Sequence, residues 1–151
     1  MITIYFDGLT EPFNPNGVAT YGYVVYKDIK VLKKGCGACG HGKGMTNNVA
    51  EYSGLMHALD WLKNNVSDIE KENILIKGDS ALVVNQLNGR WRVNSATSKY
   101  FVPKILTLLK DLNVDLMWIP RDQNQEADGL SRLAFEKYVK ENNLNYKLRE
   151  R

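Results

Sequence analysis

Four acidic residues carry the chemistry this sequence could do: Asp7, Glu51, Asp79 and Asp128. Asp7 follows one apolar run, residues 2–6, and Asp79 comes just after another, residues 74–77, so each acid is expected at the end of a strand. Glu51 and Asp128 fall early in two helical patterns, within Thr46-Asn47-Asn48-Val49-Ala50-Glu51-Tyr52 and Asn124-Gln125-Glu126-Ala127-Asp128. Each acid also has a plain structural reading. Asn48-x-x-Glu51 fits a capping box, Asp7 precedes a turn glycine, Asp79-Ser80 can cap a helix, and Asp128 suits the positive end of a helix dipole. All four together, at strand ends and helix starts, are hard to assign to capping. Sites in open α/β sheets form beyond the carboxyl ends of strands. Carboxylates gathered there repel and raise one another's pKa unless cations neutralise them. Hard divalent cations take oxygen ligands, and two of them about 4 Å apart can activate a water and stabilise the departing oxygen of a phosphodiester.

Periodicity and turn chemistry assign the elements that hold these residues. Strands are expected over 2–6, 19–26 and 31–38, with a loop at 9–17 and a hairpin connection at 27–30. A helix opens near Asn48, with Tyr52, Leu55, Met56, Leu59 and Leu62 at helical spacing. A buried strand at 74–77 and a short helix at 81–87 follow. A helix at 98–112, a strand at 114–119 and a last helix at 126–142 complete the order. Hairpins make the first strands antiparallel and helical crossovers make the later ones parallel, which gives one mixed sheet with helices packed on its faces.

The chain has 151 residues, 44% hydrophobic and 25% charged, as in a soluble globular protein of one domain. A net charge of +3 permits a polyanionic partner without requiring one. There is no leader pattern and no apolar run of the roughly 20 residues that span a bilayer, so a cytoplasmic protein with no membrane partner is expected. Cys36 and Cys39 sit among glycines that suggest a flexible hairpin turn. They lack the further ligands of a zinc site and the helix start of a redox dithiol, so a structural role, including a local disulfide, is expected. Residues 144–151 read as a short basic tail with little to bury, and are expected to be mobile.

Phe6-Asp7-Gly8, Thr46-Asn47-Asn48-x-x-Glu51, Gly78-Asp79-Ser80 and Asn124-x-x-x-Asp128, in this order, resemble the type 1 ribonuclease H family, in its archaeal and bacterial form. The resemblance implies a catalytic domain over 1–142, a tail over 143–151, and a five-stranded mixed sheet of order 3-2-1-4-5 with helices on both faces. It implies cleavage of the RNA strand of RNA–DNA hybrids with two Mg2+ or Mn2+ ions, leaving 5′-phosphate ends. Asp7, Glu51, Asp79 and Asp128 would be the metal ligands, with Asp7 and Asp79 nearest both ions. Gly8, Asn14, Thr46, Asn47, Asn48, Gln86 and Asn124 would line the substrate: Asn14 by the minor groove, Thr46 on a DNA-strand phosphate, and Asn47 and Asn48 on base edges and 2′-hydroxyls. Gln86 would contact the RNA strand.

Two features depart from many members of that family. Arg121 stands where they carry a mobile histidine. Arginine cannot be a general base near neutral pH, so it would bind phosphate or stabilise the leaving group. In place of a lysine-rich protrusion there is only Arg90-Trp91-Arg92, in which Trp91 reads equally as core or as a nucleic-acid contact. A monomer is expected. The alternatives are a broader nuclease that also cuts double-stranded RNA, and a silent hybrid-binding module. All four acids argue against the module, because binding a polyanion needs no acidic cluster.

Overall fold

In the computed structural model, which describes residues 1–150, the apolar alternation of the first strand does the organising. Ile2, Ile4 and Phe6 point to one face and are fully buried. Each contributes about 1.5–3 kcal/mol by leaving water. This strand, β1 (Ile2–Glu11), pairs antiparallel with β2 (Val18–Lys27), which pairs antiparallel with β3 (Lys30–His41). On its other edge β1 runs parallel to β4 (Asn73–Gly78), and β4 parallel to β5 (Asn113–Trp118). The sheet order is 3-2-1-4-5, as the family resemblance implies.

Helix α1 (Asn47–Asn65) seals the face of Ile4 and Phe6 with Tyr52, Leu55, Leu59 and Leu62, joined by α2 (Ala81–Leu87) and α3 (Ala96–Leu109). Helix α4 (Gln125–Glu141) covers the opposite face of β1, β2 and β3. It lies so close that a Cβ at Gly22 would sit 2.4 Å from the Ala127 carbonyl oxygen. Thr20 Oγ1 donates to the Ser131 carbonyl at 2.8 Å across the same contact.

Three expectations are corrected. First, β1 does not stop at residue 6. Its pairing with β2 continues to Glu11 and Val18, so the loop shrinks to residues 12–17 and Asp7 lies inside a strand. The Asp7-Gly8 turn signal loses to this ladder. Second, the glycines around the cysteines form strand β3 and not a turn. Gly35 and Gly37 leave room for the rings of Tyr23 and Tyr21, whose atoms lie 2.2 and 2.5 Å from where a Cβ would be. Cys36 lines a groove against α4, whereas Cys39 packs under α1 beside Ser53. The two thiols are free and on opposite faces, which excludes a disulfide between them in this fold. Third, residues 144–148 have a great deal to bury. Leu144, Tyr146 and Leu148 pack on a second apolar cluster of Leu9, Val18, Phe135 and Val139. No helix among the described residues is long and apolar enough to cross a membrane.

Candidate active site

The sheet's two kinds of pairing create the site. Parallel pairing of β1 with β4 ends at Phe6 and Gly78, while β1 continues on its antiparallel side alone. Asp7 is the next residue of β1 and Asp79 the first after β4, and so the two emerge side by side. Glu51 joins them from the first turns of α1 because β1 presses against that helix start. A Cβ at Gly8 would lie 2.4 Å from Ala50 C and Glu51 N. One oxygen from each of Asp7, Glu51 and Asp79 falls within 4.8 Å of the others.

Capping does not account for these acids. Thr46, and not Asn48, caps α1, its Oγ1 accepting from Val49 N at 3.2 Å, so the capping box is not formed. Ser80 caps α2, its Oγ accepting from Val83 N at 3.3 Å, and Asp79 turns into the site instead. Asp128 stands apart from the group of three. It bonds Arg132 Nε at 3.1 Å one turn along α4, yet lies near enough for its charge to act on Asp7.

Asp7 is 5% exposed and Glu51 7%. Burial, then the Asp79 charge, lifts the Asp7 carboxyl to about 8. Burial and the charges of Asp7 and Asp79 push Glu51 well above its ordinary range. Glu51 Oε2 is buried with no hydrogen-bond donor among the described residues. Hard oxygen donors that repel one another, with Glu51 Oε2 among them buried and unmatched, fit a divalent cation such as Mg2+. Arg121, at the start of a 3-10 turn (Arg121–Gln123), lines the same cleft of about 300 Å³. A larger cleft of about 530 Å³, between Tyr5, Tyr26 and Lys77, lacks such a cluster. Glu126 there is engaged by Tyr26 and Lys34.

A reverse transcriptase-like family model matches residues 13–134. Ribonuclease HI of Halobacterium salinarum is 31% identical over 135 residues, covering 87% of this chain and 63% of that protein. The protein YpeP of Bacillus subtilis is 33% identical over 133 residues, covering 87% and 57%. The chain thus spans roughly three fifths of these curated relatives' lengths. Among solved structures, LC11-RNase H1 in complex with an RNA/DNA hybrid matches with a TM-score of 0.83 at 30% identity, covering 92% of this chain and 99% of that one. The N-terminal RNase H domain of Rv2228c from Mycobacterium tuberculosis matches with a TM-score of 0.80 at 30% identity, covering 93% and 97%.

The chain belongs to the type 1 ribonuclease H family.

Within this ribonuclease H domain the remaining candidates separate into surface and interior. Asn14 Oδ1 accepts from Asn47 N at 3.1 Å, tying the loop after β1 to the start of α1 and leaving Asn47 exposed on the cleft. Asn48 and Thr46 are half-buried beside it, and Gly8 lines the cleft through its backbone. Two expected substrate contacts lie inside the fold. Gln86 is buried: its Oε1 accepts from Tyr52 and Ser98 hydroxyls and its Nε2 donates to the Arg92 carbonyl at 2.9 Å. Asn124 is buried too, its Nδ2 donating to Phe6 O at 2.8 Å and to Asp79 Oδ2 at 3.3 Å. Asn124 supports the site from beneath, and Gln86 ties α1, α3 and the turn at Arg92 together. Trp91 is exposed, with Arg90 and Arg92, and is not core. Sequence reading missed Trp118, whose indole N–H donates to the Asp79 carbonyl at 3.1 Å, as well as Glu11 and Arg149 at the cleft's edge. Only strand register brings Trp118 there, opposite Gly78.

Proposed function

We propose that this chain hydrolyses the RNA strand of RNA–DNA hybrids. The observation that carries the reading is the convergence of Asp7, Glu51 and Asp79 at the rim of a cleft in a ribonuclease H fold. Support comes from one relative, the ribonuclease HI of Halobacterium salinarum, and from a similar protein solved with an RNA/DNA hybrid.

Asp7, Glu51 and Asp79 would hold two Mg2+ ions, with Mn2+ as a substitute, and Asp128 flanks them from α4. Such ions lower the pKa of water and neutralise charge on phosphate oxygens. The protein's own part is positional. Asn124 holds the Asp79 carboxylate, and Trp118 holds the backbone behind it. Arg121 offers a cation to the phosphate beside the acids. Attack of water on phosphorus would break the P–O3′ bond, the departing 3′-oxygen taking up a proton, so that one product keeps a 5′-phosphate and the other a 3′-hydroxyl. Asn47, exposed on the cleft, offers an amide to base edges and 2′-hydroxyls, the group that marks RNA.

The test is cleavage of end-labelled RNA–DNA hybrid with Mg2+, beside RNA–RNA and DNA–DNA duplexes. Internal cuts in the RNA strand of the hybrid are expected, stopped by chelator. Asp7→Asn should lower the rate at least about a hundredfold, since one carboxylate ligand is lost. Cutting of RNA–RNA as well would broaden the specificity. Hybrid binding without any cutting, in Mg2+ or Mn2+, would overturn the assignment in favour of a binding module.

A further inference from the structure

We propose that residues 144–150 form part of the substrate-binding rim, with Arg149 contacting a backbone phosphate of the hybrid; this rests on the nuclease reading above. Asp7, Leu9 and Glu11 alternate onto one face of β1. Glu11 lies about 13 Å along the strand from Asp7, within the span of a few successive phosphates. The segment after α4 returns over this strand. Leu144, Tyr146 and Leu148 pack against Leu9 and its neighbours, and the Tyr146 ring meets Phe13 edge-on at 5.4 Å.

That anchoring delivers Arg149 to Glu11. Its backbone N donates to Oε1 at 2.7 Å, its Nε to Oε2 at 2.6 Å, and its Nη2 to the Thr10 carbonyl at 3.1 Å. Nη2 also pairs with the Glu11 carboxylate. Glu11 is thereby covered, its side chain 12% exposed, while that of Arg149 remains 53% exposed. Among the described residues nothing takes the two N–H groups of Nη1. The guanidinium is held through Nε and Nη2, and its Nη1 is left to donate to a phosphate oxygen.

Charge gives this arrangement its purpose. The cleft is lined by Asp7, Glu51 and Asp79, and by two further acids, Glu11 and Glu150. Its basic residues are Arg121 and Arg149. Metal ions would offset the inner three. Glu11 lies outside that group, and Arg149 neutralises it where a polyanion must approach. Arg121, and the Nη1 donors of Arg149 left over from its pair with Glu11, then stand on the cleft's edge, each able to bond a phosphate oxygen.

The experiment measures hybrid cleavage in Mg2+ from 50 to about 250 mM salt, and hybrid binding in an Asp7→Asn background, for the parent chain, Arg149→Ala and Arg149→Lys. Arg149→Ala is expected to raise KM and the hybrid Kd about tenfold with kcat nearly unchanged, and to reduce the slope of log K against log salt by about one. Arg149→Lys keeps the stem and the charge. It should fold like the parent, retain the salt slope, and lose affinity by less. A lowered melting temperature with unchanged KM, Kd and salt slope would make the segment a structural staple and overturn the proposal, as would a loss confined to kcat. Those outcomes leave the nuclease reading intact. A parent chain that neither binds nor cuts hybrid would overturn both.

Discussion

An amide side chain both donates and accepts, which suits the substrate contacts that the family resemblance implies for Gln86 and Asn124. The same versatility suits a buried junction. Gln86 joins α1, the start of α3 and the turn at Arg92, and Asn124 joins β1 to the Asp79 carboxylate. Nothing in the residue type separates the two uses; only burial does. Asn124→Ala removes the donor to the Phe6 carbonyl inside the fold, and should destabilise by about 1–3 kcal/mol in denaturant melts. It should also lower cleavage about 10–100-fold at fixed Mg2+, recoverable in part by raising Mg2+, because Asp79 loses its orienting partner. Full activity at low Mg2+ would show that Asp79 needs no such support. Three of the four acids, Asp7, Glu51 and Asp79, were legible as a group for the opposite reason: carboxylates that follow apolar runs or open helices have few other uses in common.

At the scale of elements, periodicity located all five strands and all four helices, since each turns one apolar face to a core. The ends of the strands were less legible. β1 and β3 each outrun their sequence signals because a paired neighbour completes their hydrogen bonds regardless of a local glycine. Gly8 shows how such a detail reaches the site. Its missing side chain lets β1 touch the start of α1, which sets the spacing of Asp7 and Glu51. Gly8→Ala forces that contact apart. It should cost about 1–3 kcal/mol of stability and cut kcat along with it. An unchanged melting temperature and kcat would mean that strand and helix part freely there.

For the molecule as a whole, the buried acids tie stability to pH. The Asp7 carboxyl ordinarily titrates at 3.8 and is lifted to about 8 by folding, and Glu51 is shifted in the same direction. A folded state that holds protons more tightly than the unfolded chain is favoured at low pH, fully below the unfolded value. That advantage is lost as pH rises through the folded value. The melting temperature without metal should therefore fall between about pH 4 and 8, as far as these two groups govern it. Mg2+ should raise it by an amount that grows with pH, since metal and protons compete for the same oxygens. A metal increment that shrinks at high pH would contradict this linkage. Docking of the last residues was the least legible feature of the whole. Arg149 and Glu11 are 138 positions apart, and no local pattern connects them.

That docking has a practical side for anyone handling the protein. A polyhistidine tag appended after Arg151 would start three residues beyond Arg149, bringing metal-chelating imidazoles near the edge of a proposed metal site. Placed ahead of Ile2 it would start about 30 Å away, at the far end of the same strand. Two preparations of one sequence, differing only in which end carries the tag, would then differ in apparent metal requirement.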